Sequence, residues 1–260
     1  MALAAFAAVL LAGCATGPNA NPRDPFEPFN REVMKFNEGV DAAVLKPVAT
    51  AYRQAIPPLV RTGVSNFFGN LSDVWSFVNS ALQFKLQNAA EDFMRVNVNT
   101  FFGLGGILDI ASDLNIERHK EDFGQTLGRW GLPAGPYLVL PLLGPSTLRD
   151  AAALPVDLRA DLVRQVTPLR DRDGLYLLRL INARANLLRV GDVVNDAALD
   201  KYSFTRDAHL QRRRAEIYDA DPKPAKPGAE PAVDNDGQIP PDPTGTPAPA
   251  AGQPDPAPAR

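Results

Sequence analysis

The stretch SDVWSFVNSALQFKL, from Ser72 to Leu86, is the part of this sequence that most strongly decides the fold. Ser72 and Asp73 are residue types that cap the first turn of a helix. The apolar residues that follow lie around much of the circumference of that helix: Val74, Trp75, Phe77, Val78, Ala81, Leu82 and Leu86. A helix of this kind is either fully buried or has one side against something other than water. The stretch therefore leaves two environments open, a protein interior and an apolar medium.

Other helices are predicted on both sides of this stretch, from apolar residues that recur every three or four positions. The first has an apolar face formed by Phe29, Val33, Phe36, Val40 and Val44. Pro47 is expected to end or bend it, because proline lacks an N–H donor. Further helices are predicted over 89–101, 154–166 and 175–190, whereas 64–71 has the composition of a turn-rich segment. Since no strand pair or hairpin turn is evident, we predict an all-α fold, a single domain of amphipathic helices with structured loops.

The N-terminal residues have the pattern of a bacterial lipoprotein leader. A short apolar run, residues 1–11, is followed by Ala-Gly-Cys, so 1–13 is predicted to be a signal peptide. Cys14, the only cysteine, would then carry the lipid, and 14–23 would be a lipidated linker. A lone cysteine in an apolar stretch is usually a small buried hydrophobe, but nothing before Cys14 could fold around it. Ala15 follows, and without an acidic retention signal there we expect the outer membrane.

Composition divides the rest of the chain in two. Residues 24–218 resemble one folded domain, whereas 219–260 hold 12 of the 25 prolines and no aromatic residue. Such a segment cannot bury enough apolar surface to offset its ordering entropy, so it is predicted to be a disordered Pro/Ala-rich tail. The net charge of -3, from 27 basic and 30 acidic residues, argues against general nucleic-acid binding.

The longest apolar run within 24–218, Leu132 to Gly144, is predicted to be a loop. Pro133, Pro136 and Pro141 interrupt it, and a proline inside a helix removes a hydrogen bond and clashes with the preceding turn. A spanning helix needs about 20 apolar residues, a length that no segment after the leader approaches. The chain is therefore not expected to cross a bilayer as a helix.

No pattern in the sequence points to an enzyme or to a metal site. His119 and His209 lie far apart among charged neighbours, so they are expected to be solvated surface residues and not zinc ligands. The segment 103–106 lacks the third glycine and the preceding strand of a dinucleotide-binding loop. Ser146 lacks the strand–turn–helix setting of a catalytic nucleophile, and Asp109 is explained as a capping or solvated residue. No catalytic residue, metal ligand or cofactor is therefore assigned.

Several stretches that follow one another along the chain resemble the MlaA/VacJ family of outer-membrane lipoproteins. The most extended are residues 24–31, 65–71 and 135–141. Shorter ones complete the series: Phe36-Asn37, Lys46-Pro-Val-Ala49, Asn99-Thr100, Gly103-Leu-Gly-Gly-Ile-Leu-Asp109, Phe123-Gly-Gln-Thr-Leu-Gly128, and Gly144-Pro-Ser146 through Arg149-Asp150. The resemblance covers residues 24–217 and agrees with the lipoprotein leader.

The resemblance implies a ring-shaped, all-helical protein in the inner leaflet of the outer membrane, facing the periplasm. In the family a central amphipathic channel lets misplaced outer-leaflet phospholipids leave towards the soluble periplasmic carrier MlaC, and the proteins associate with trimeric porins. For this chain the expected function is passive removal of phospholipid from the outer leaflet. The phospholipid is the transported ligand, no cofactor is needed, and no bond is made or broken.

Individual residues are candidates for that function beside the lipid anchor, Cys14. Asn66 and Phe67 match a family motif whose integrity keeps the channel shut, although a turn followed by a core aromatic residue explains them equally well. The loop that flexes as lipid passes contributes four residues: Gly135, Pro136, Tyr137 and Gly144. Three arginines are candidates for head-group contacts, although charged helix faces are usually only solvated: Arg179, Arg184 and Arg206.

Two other functions remain open at this point. A lipoprotein that only scaffolds porins or envelope assembly would bind partners without moving lipid. A phospholipid-cleaving enzyme would release lysophospholipid, but the sequence offers no activated nucleophile for it. The lipid channel is therefore the first hypothesis, and the scaffold is the alternative.

Overall fold

Helices account for most of the residues that a computed structural model describes, which are 23–189 and 200–218. The helical fold class predicted from the sequence is confirmed. In chain order the helices are α1 (Glu27–Val40), α2 (Lys46–Ala55), α3 (Pro58–Leu82), α4 (Leu86–Phe101), α5 (Ile110–Asp113), α6 (Phe123–Arg129), α7 (Leu148–Ala160), α8 (Leu169–Asn186) and α9 (Lys201–Tyr218). The predicted leader, Cys14 and the predicted tail lie outside the described residues.

The first two helices are joined without a loop. Residues Asp41–Leu45 form a turn of π-helix, and Val40 and Lys46 on either side keep right-handed helical angles. Pro47 lies in the first turn of α2. The expectation that Pro47 ends or bends the first helix is therefore correct only in part. The hydrogen-bond spacing changes directly before the residue that lacks an N–H, and the helix then resumes.

Helix α3 is longer than the sequence indicates. The segment 64–71, predicted to be turn-rich, is helical, and Ser72 and Asp73 lie inside the helix instead of capping it. The helix begins after Pro57, with Pro58 in its first turn, where the missing N–H would be unpaired in any case.

Packing against the following segment explains why these weak helix formers are helical. Gly63 lies so close to Ile107 that a Cβ would be 3.0 Å from the Ile107 Cγ2. The Asn70 side chain donates to the Thr100 Oγ1 at 3.0 Å, and Phe68 is buried. Tertiary contacts of this kind override local propensity.

A connection of three residues, Gln83 to Lys85, joins α3 to α4. Phe84 has a left-handed backbone, with φ of 59°, which is uncommon for a residue other than glycine. Its side chain is 84% exposed. Helix α4 begins at Leu86, earlier than the predicted Ala89, and the two helices form a hairpin.

The proline-rich run 132–144 contains a strand, so the expectation of a loop without strands is wrong. Strand β1 (Tyr137–Leu140) pairs antiparallel with β2 (Gly144–Thr147), and Leu140 lies opposite Gly144. Leu142 and Gly144 have φ values of 62° and 83°, which a tight reversal requires. Strands of four residues are too short for the alternation of side chains to be visible in a sequence.

Two asparagines of α1 pair with the backbone of β1 as a third strand would. The side-chain amide of Asn30 donates to the Tyr137 carbonyl at 3.1 Å and accepts from the Val139 N–H at 2.9 Å. Asn37 donates to the Leu140 carbonyl at 3.0 Å and accepts from an N–H of the reversal at 2.7 Å. These bonds satisfy backbone groups that burial would otherwise leave unpaired, and they fix the hairpin to α1.

Helices α7 and α8 begin earlier in the sequence than predicted. Helix α7 starts at Leu148 because Thr147 caps it, its hydroxyl accepting from the Asp150 N–H at 3.2 Å. It ends at Ala160, and a 3₁₀ turn, Leu162–Gln165, follows. Helix α8 starts after Pro168 and ends at Asn186. Periodicity located both helices, but caps and prolines set their ends.

The described residues bury few large apolar side chains. The two apolar clusters are small and consist of Ala49, Ala185 and Leu188, and of Tyr137, Val139 and Tyr202. Large apolar side chains lie at the surface instead, for example Phe93 at 50%, Phe101 at 76% and Leu104 at 70% exposure. Among the helices described, none has both the length and the hydropathy needed to cross a membrane.

Candidate functional site

The inner faces of α3 and α4 are polar. The polar side chains buried there have at most 5% of their surface exposed, and they are Asn70, Asp73, Ser76, Asn79, Ser80, Asp92, Arg95 and Asn99. The Ser80 hydroxyl donates across the pair to Asp92 at 3.1 Å. The stretch 72–86 therefore turns its polar side inward and leaves much of its apolar side at the surface.

Arg95 is the central charge of this interior, with 1% of its side chain exposed. Its Nη2 donates to the Asp109 Oδ1 at 2.6 Å, and its Nε lies 3.6 Å from the Asp73 Oδ2. Asp109 also caps α5 through the Ser112 N–H at 3.3 Å. Burial disfavours the charge on Asp109, but hydrogen bonds from Ser112 and Asn99 outweigh it and lower the pKa. Buried charges persist only with such pairing.

A cavity of about 740 Å³ lies between α3, the segment 118–122, α7 and α8. Part of its lining is apolar and consists of Phe68, Leu71, Trp75, Leu154 and Leu158. Another part is charged and consists of Asp73, Arg118, Lys120, Glu121, Asp122, Asp157, Asp161 and Arg179. One cavity therefore offers both kinds of surface that an amphiphilic molecule requires.

Two carboxyl groups of the charged wall have a raised pKa because burial disfavours their ionised form. Asp157 accepts hydrogen bonds from the Trp75 indole at 2.7 Å and from the Phe123 N–H at 2.9 Å. These two bonds act to lower the pKa of Asp157, but burial has the larger effect and the pKa is raised. The pKa of Asp73 is raised by the same cause, although two neighbouring arginines act in the other direction.

The three arginines predicted to contact head groups lie in different surroundings. Arg179 lines the cavity, but its Nη1 is bound to the Asp161 Oδ2 at 2.8 Å. Arg184 lies outside the cavity lining and makes two hydrogen bonds to Asp41, at 2.6 and 2.7 Å, which tie α8 to the π-helical turn. Arg206, also outside it, is only 8% exposed and takes part in a buried cluster near the N-terminus. The head-group role of the three arginines stays a prediction.

The four hairpin residues also lie outside the lining of this cavity. Gly135 and Gly144 have positive φ values of 69° and 83°, and the Pro136 carbonyl accepts from the first N–H of α7 at 3.0 Å. Tyr137 is fully buried, and burial raises the pKa of its hydroxyl to about 12. The role of these residues in the passage of lipid stays a prediction.

Asn66 and Phe67 lie on α3 next to the cavity. The Asn66 side chain donates to the Ile107 carbonyl at 3.1 Å. Phe67 packs edge-on against Phe68, with 5.3 Å between the ring centroids, and Phe68 lines the cavity. The expected turn is helical, whereas the expected packing role of the aromatic residue fits these contacts. Their gating role stays a prediction.

The two histidines are not the solvated residues that the sequence suggested. Burial, with help from two nearby arginines, lowers the pKa of His209 to about 4. His119 is half-buried, and its Nε2 lies 2.8 Å from the Glu91 Oε2. One potential metal-ligand atom from each of Glu91, Glu117 and His119 lies within 4.8 Å of the other two. The hydrogen bond between His119 and Glu91 already explains why these two side chains are close together.

Arg118, Lys120 and Asp157 are among the cavity residues that the sequence did not single out. The first two belong to the run Glu-Arg-His-Lys-Glu-Asp at 117–122. Six consecutive ionisable residues between two apolar segments were the feature of the sequence that could have indicated this part of the cavity. Helical periodicity could not reveal these residues, because the run is not helical.

Comparison with known proteins identifies the family to which this fold belongs. A family model described as MlaA lipoprotein matches residues 22–216. The intermembrane phospholipid transport system lipoproteins MlaA of Shigella flexneri and of Escherichia coli (strain K12) are each 36% identical over 215 residues, covering 80% of this chain and 84% of the relative. The protein of the same description from Haemophilus influenzae is 31% identical over 230 residues, covering 83% and 89%.

A solved structure agrees with these relatives. It was described under the heading "Structural basis for maintenance of bacterial outer membrane lipid asymmetry" and superposes with a TM-score of 0.66 and 34% sequence identity. The match covers 75% of this chain and 98% of the other. On the family match, the identities of the relatives and the shared fold, this chain belongs to the MlaA lipoprotein family.

Proposed function

We propose that this chain is an outer-membrane lipoprotein that removes misplaced phospholipid from the outer leaflet and passes it to a periplasmic carrier, so that the membrane keeps its lipid asymmetry. The observation that carries the proposal is the inverted distribution of side chains, polar inside and apolar outside, around a cavity with both apolar and charged walls. The relatives from Shigella flexneri and Escherichia coli are lipoproteins of an intermembrane phospholipid transport system.

The exposed apolar side chains support a position within one leaflet. On α4 and just after it, Phe93, Met94, Phe101 and Phe102 are between 49% and 76% exposed, and contiguous apolar surface of this kind is characteristic of contact with lipid or with a partner protein. A helix that lies in a leaflet keeps an apolar face in the acyl region. An acylated Cys14 would add an anchor, and a trimeric porin would cover part of the same surface.

The cavity supports a passive route for the lipid. Acyl chains would follow the apolar wall, and the head group would follow the charged wall, as the β1–β2 hairpin flexes to admit the molecule. No bond is made or broken in this passage. An unpowered route only equilibrates lipid between its ends, so net movement towards the periplasm would come from the carrier, MlaC, and from the energy source behind it.

Filling the cavity tests this function. Ala183 lines the cavity and is exposed to it, so Ala183→Trp would obstruct the route, whereas Ala90→Trp on the exposed surface of α4 is a matched control. Each variant is expressed in a strain that lacks the chromosomal copy, and surface-exposed phospholipid is measured. We expect only Ala90→Trp to restore the low wild-type level, with equal amounts of both proteins in the outer membrane.

The same experiment separates transport from scaffolding. If Ala183→Trp restores lipid asymmetry as well as the control does, the cavity is not the route, and the proposal is overturned. Retention of porin by both variants in co-purification, together with that result, would favour the scaffold alternative. Release of lysophospholipid by the purified wild-type protein would point to an enzyme instead.

A further inference from the structure

The segment 116–122 crosses the cavity wall in a non-helical conformation. In an extended chain, side chains two positions apart lie on the same side. Arg118 and Lys120 have this relation, and both line the cavity. The residues between and beside them, Glu117 and His119, belong to the cluster with Glu91 and are absent from the cavity lining. The segment therefore brings two neighbouring cations to one wall.

Lys120 differs from the other charges of this wall. Its side chain is exposed, and among residues 23–189 and 200–218 its ammonium group has no hydrogen bond or ion pair. Arg179, by comparison, is bound to Asp161 at 2.8 Å. An exposed lysine on a cavity wall is available to a ligand at little cost, because binding does not first break a contact within the protein.

Arg118 presents a fixed guanidinium beside it. Its Nε donates to the Asp73 Oδ2 at 3.1 Å, and its Nη2 lies 3.6 Å from the Asp109 Oδ2. The group lies flat against Gly69, where a Cβ would be 2.9 Å from Nη1, 3.2 Å from Cζ and 3.3 Å from Nη2. Within the described part of the chain, Nη1 has no hydrogen bond. The arginine is held in place on one edge and keeps a donor on the other.

The carboxylates of the wall each have a partner other than Lys120, although Asp73 pairs with Arg118 itself. Glu121 accepts from Lys85 at 2.8 Å and Asp122 from Arg213 at 2.6 Å. Asp161 is bound to Arg179, Asp73 is bound to Arg118, and Asp157 accepts from an indole and a backbone N–H. The cations that remain available face a cavity whose other wall is apolar.

We propose that Arg118, Lys120 and Gly69 form a phosphate-binding subsite for the head group of a glycerophospholipid in this cavity. The subsite rests on the proposed function and extends it. A guanidinium offers directed donors to phosphate oxygens, and a lysine adds a mobile point charge. The apolar wall, with Phe68, Trp75 and Leu158, suits the acyl chains. Free phosphate shares the head-group chemistry but would not use that wall.

Lys120→Gln is the primary test, because the side chain it changes makes no hydrogen bond or ion pair within the described residues. The full-length protein in detergent is titrated with a fluorescent phosphatidylglycerol and with the diacylglycerol that carries the same chains. We expect about a tenfold weaker affinity for the phospholipid, since a hydrogen bond to a charged group is lost, and an unchanged affinity for the diacylglycerol. Lys35→Gln, on the exposed surface of α1, is the matched control and should bind both as the wild type does.

Gly69→Ala tests the position of Arg118 without removing a charge. The added methyl group would push the guanidinium away from α3, so we expect a loss of phospholipid affinity with no change for diacylglycerol. Inorganic phosphate is added as a competitor in a separate arm. Competition at high phosphate concentrations supports the subsite, whereas phosphate that binds while the phospholipid does not would assign the site to the free anion and overturn the proposal.

Failure of the subsite and failure of the proposed function give different results. If Lys120→Gln binds both amphiphiles as the wild type does, while Ala183→Trp still abolishes lipid asymmetry, the subsite is wrong and the lipid route stands. An equal loss for phospholipid and diacylglycerol would indicate a general change of the cavity and also overturn the subsite. If the wild-type protein binds neither amphiphile, the route itself is in doubt.

Discussion

The cavity wall and the N-terminal clamp use the same kinds of residue in opposite ways. The N-terminal clamp consists of Asp24, Asn30, Tyr202 and Arg206. The Asp24 carboxylate, 1% exposed, accepts from Asn30 at 2.9 Å, from the Tyr202 hydroxyl at 2.6 Å and from Arg206 at 3.2 Å. At the cavity wall, Lys120 and one edge of Arg118 have no such partner among the described residues.

The difference teaches how to distinguish a structural charge from a functional one in this fold. A charge that is buried and fully paired holds elements together, and removing its partner leaves it uncompensated. A charge that lines a cavity without a partner adds nothing to folding and is available to a ligand. We expect changes in the clamp to alter stability, and changes at the wall to alter binding.

Asp24→Ala should have the largest effect on stability. It removes one carboxylate of the buried Arg206, whose Nε still pairs with Asp207 at 2.8 Å, and it removes the acceptor of Asn30 and Tyr202. We expect a loss of about 4 kcal/mol in the free energy of unfolding, because a buried ion pair is broken and two further buried donors lose their acceptor. Urea unfolding of the protein in detergent measures it. A loss below about 1 kcal/mol would show that the clamp is not essential to the fold.

Asn30→Ala should have the next largest effect. The change removes the two bonds from Asn30 to β1 and one bond to Asp24. We expect a loss of about 2–3 kcal/mol, because buried backbone groups are left unpaired. Hydrogen exchange at the Val139 amide should accelerate in the variant. Unchanged protection there would mean that β1 does not depend on α1.

His209→Gln should change how stability depends on pH. Burial, and to a lesser extent the charges of Arg213 and Arg212, lowers the pKa of His209 from its usual 6.5 to about 4. The folded state keeps the histidine neutral where the unfolded state binds a proton, so its contribution is complete above pH 6.5 and is lost as the pH falls towards 4.

We therefore expect the glutamine variant to lose about 2 kcal/mol less stability than the wild type between about pH 7.5 and about pH 4.5. Urea midpoints at the two pH values measure the difference. Asp92, whose pKa burial raises to about 6, acts with the opposite sign in both proteins and cancels in the comparison. Parallel losses in variant and wild type would contradict the neutral buried state of His209.

Lys120→Gln should have the smallest effect on stability, within about 0.5 kcal/mol, as is usual for surface positions without special contacts. Measured beside Asp24→Ala, it contrasts the two regions most directly, because the clamp change should destabilise the fold and the wall change should only weaken ligand binding. A large destabilisation by Lys120→Gln would assign the lysine a structural role.

Much of the fold was readable from the sequence. The apolar period located α1, α4, α7 and α8, because the spacing of 3.6 residues is a local property of the chain. The predicted ends of the helices were less accurate, and the helical conformation of residues 64–71, which belong to α3, was not predicted. Its Asn, Gly and Ser residues favour turns locally, and only the close approach of Ile107 and the bond from Asn70 to Thr100 keep the segment helical.

Less of the site was readable. Of the three arginines predicted to contact head groups, Arg179 lines the cavity, whereas Arg184 and Arg206 pair with Asp41 and Asp24, which are distant in the sequence. The hairpin was missed because α1 completes it through asparagine side chains and not through a neighbouring strand. Contacts between residues more than 100 positions apart leave no trace in local periodicity.

The sequence by itself determined that the chain is helical, that it resembles a known lipoprotein family, and that the stretch beginning at Ser72 is helical. It predicted that helix as far as Leu86 and left open which of its sides is inside. Only the tertiary structure ended the helix at Leu82 and decided which face is inside, by placing Asp73, Ser76 and Ser80 against the polar face of α4 and leaving much of the apolar side exposed. The physical reason is that a periodic pattern defines two faces of a helix, whereas the charges and hydrogen-bond partners of its neighbours decide which face is inside.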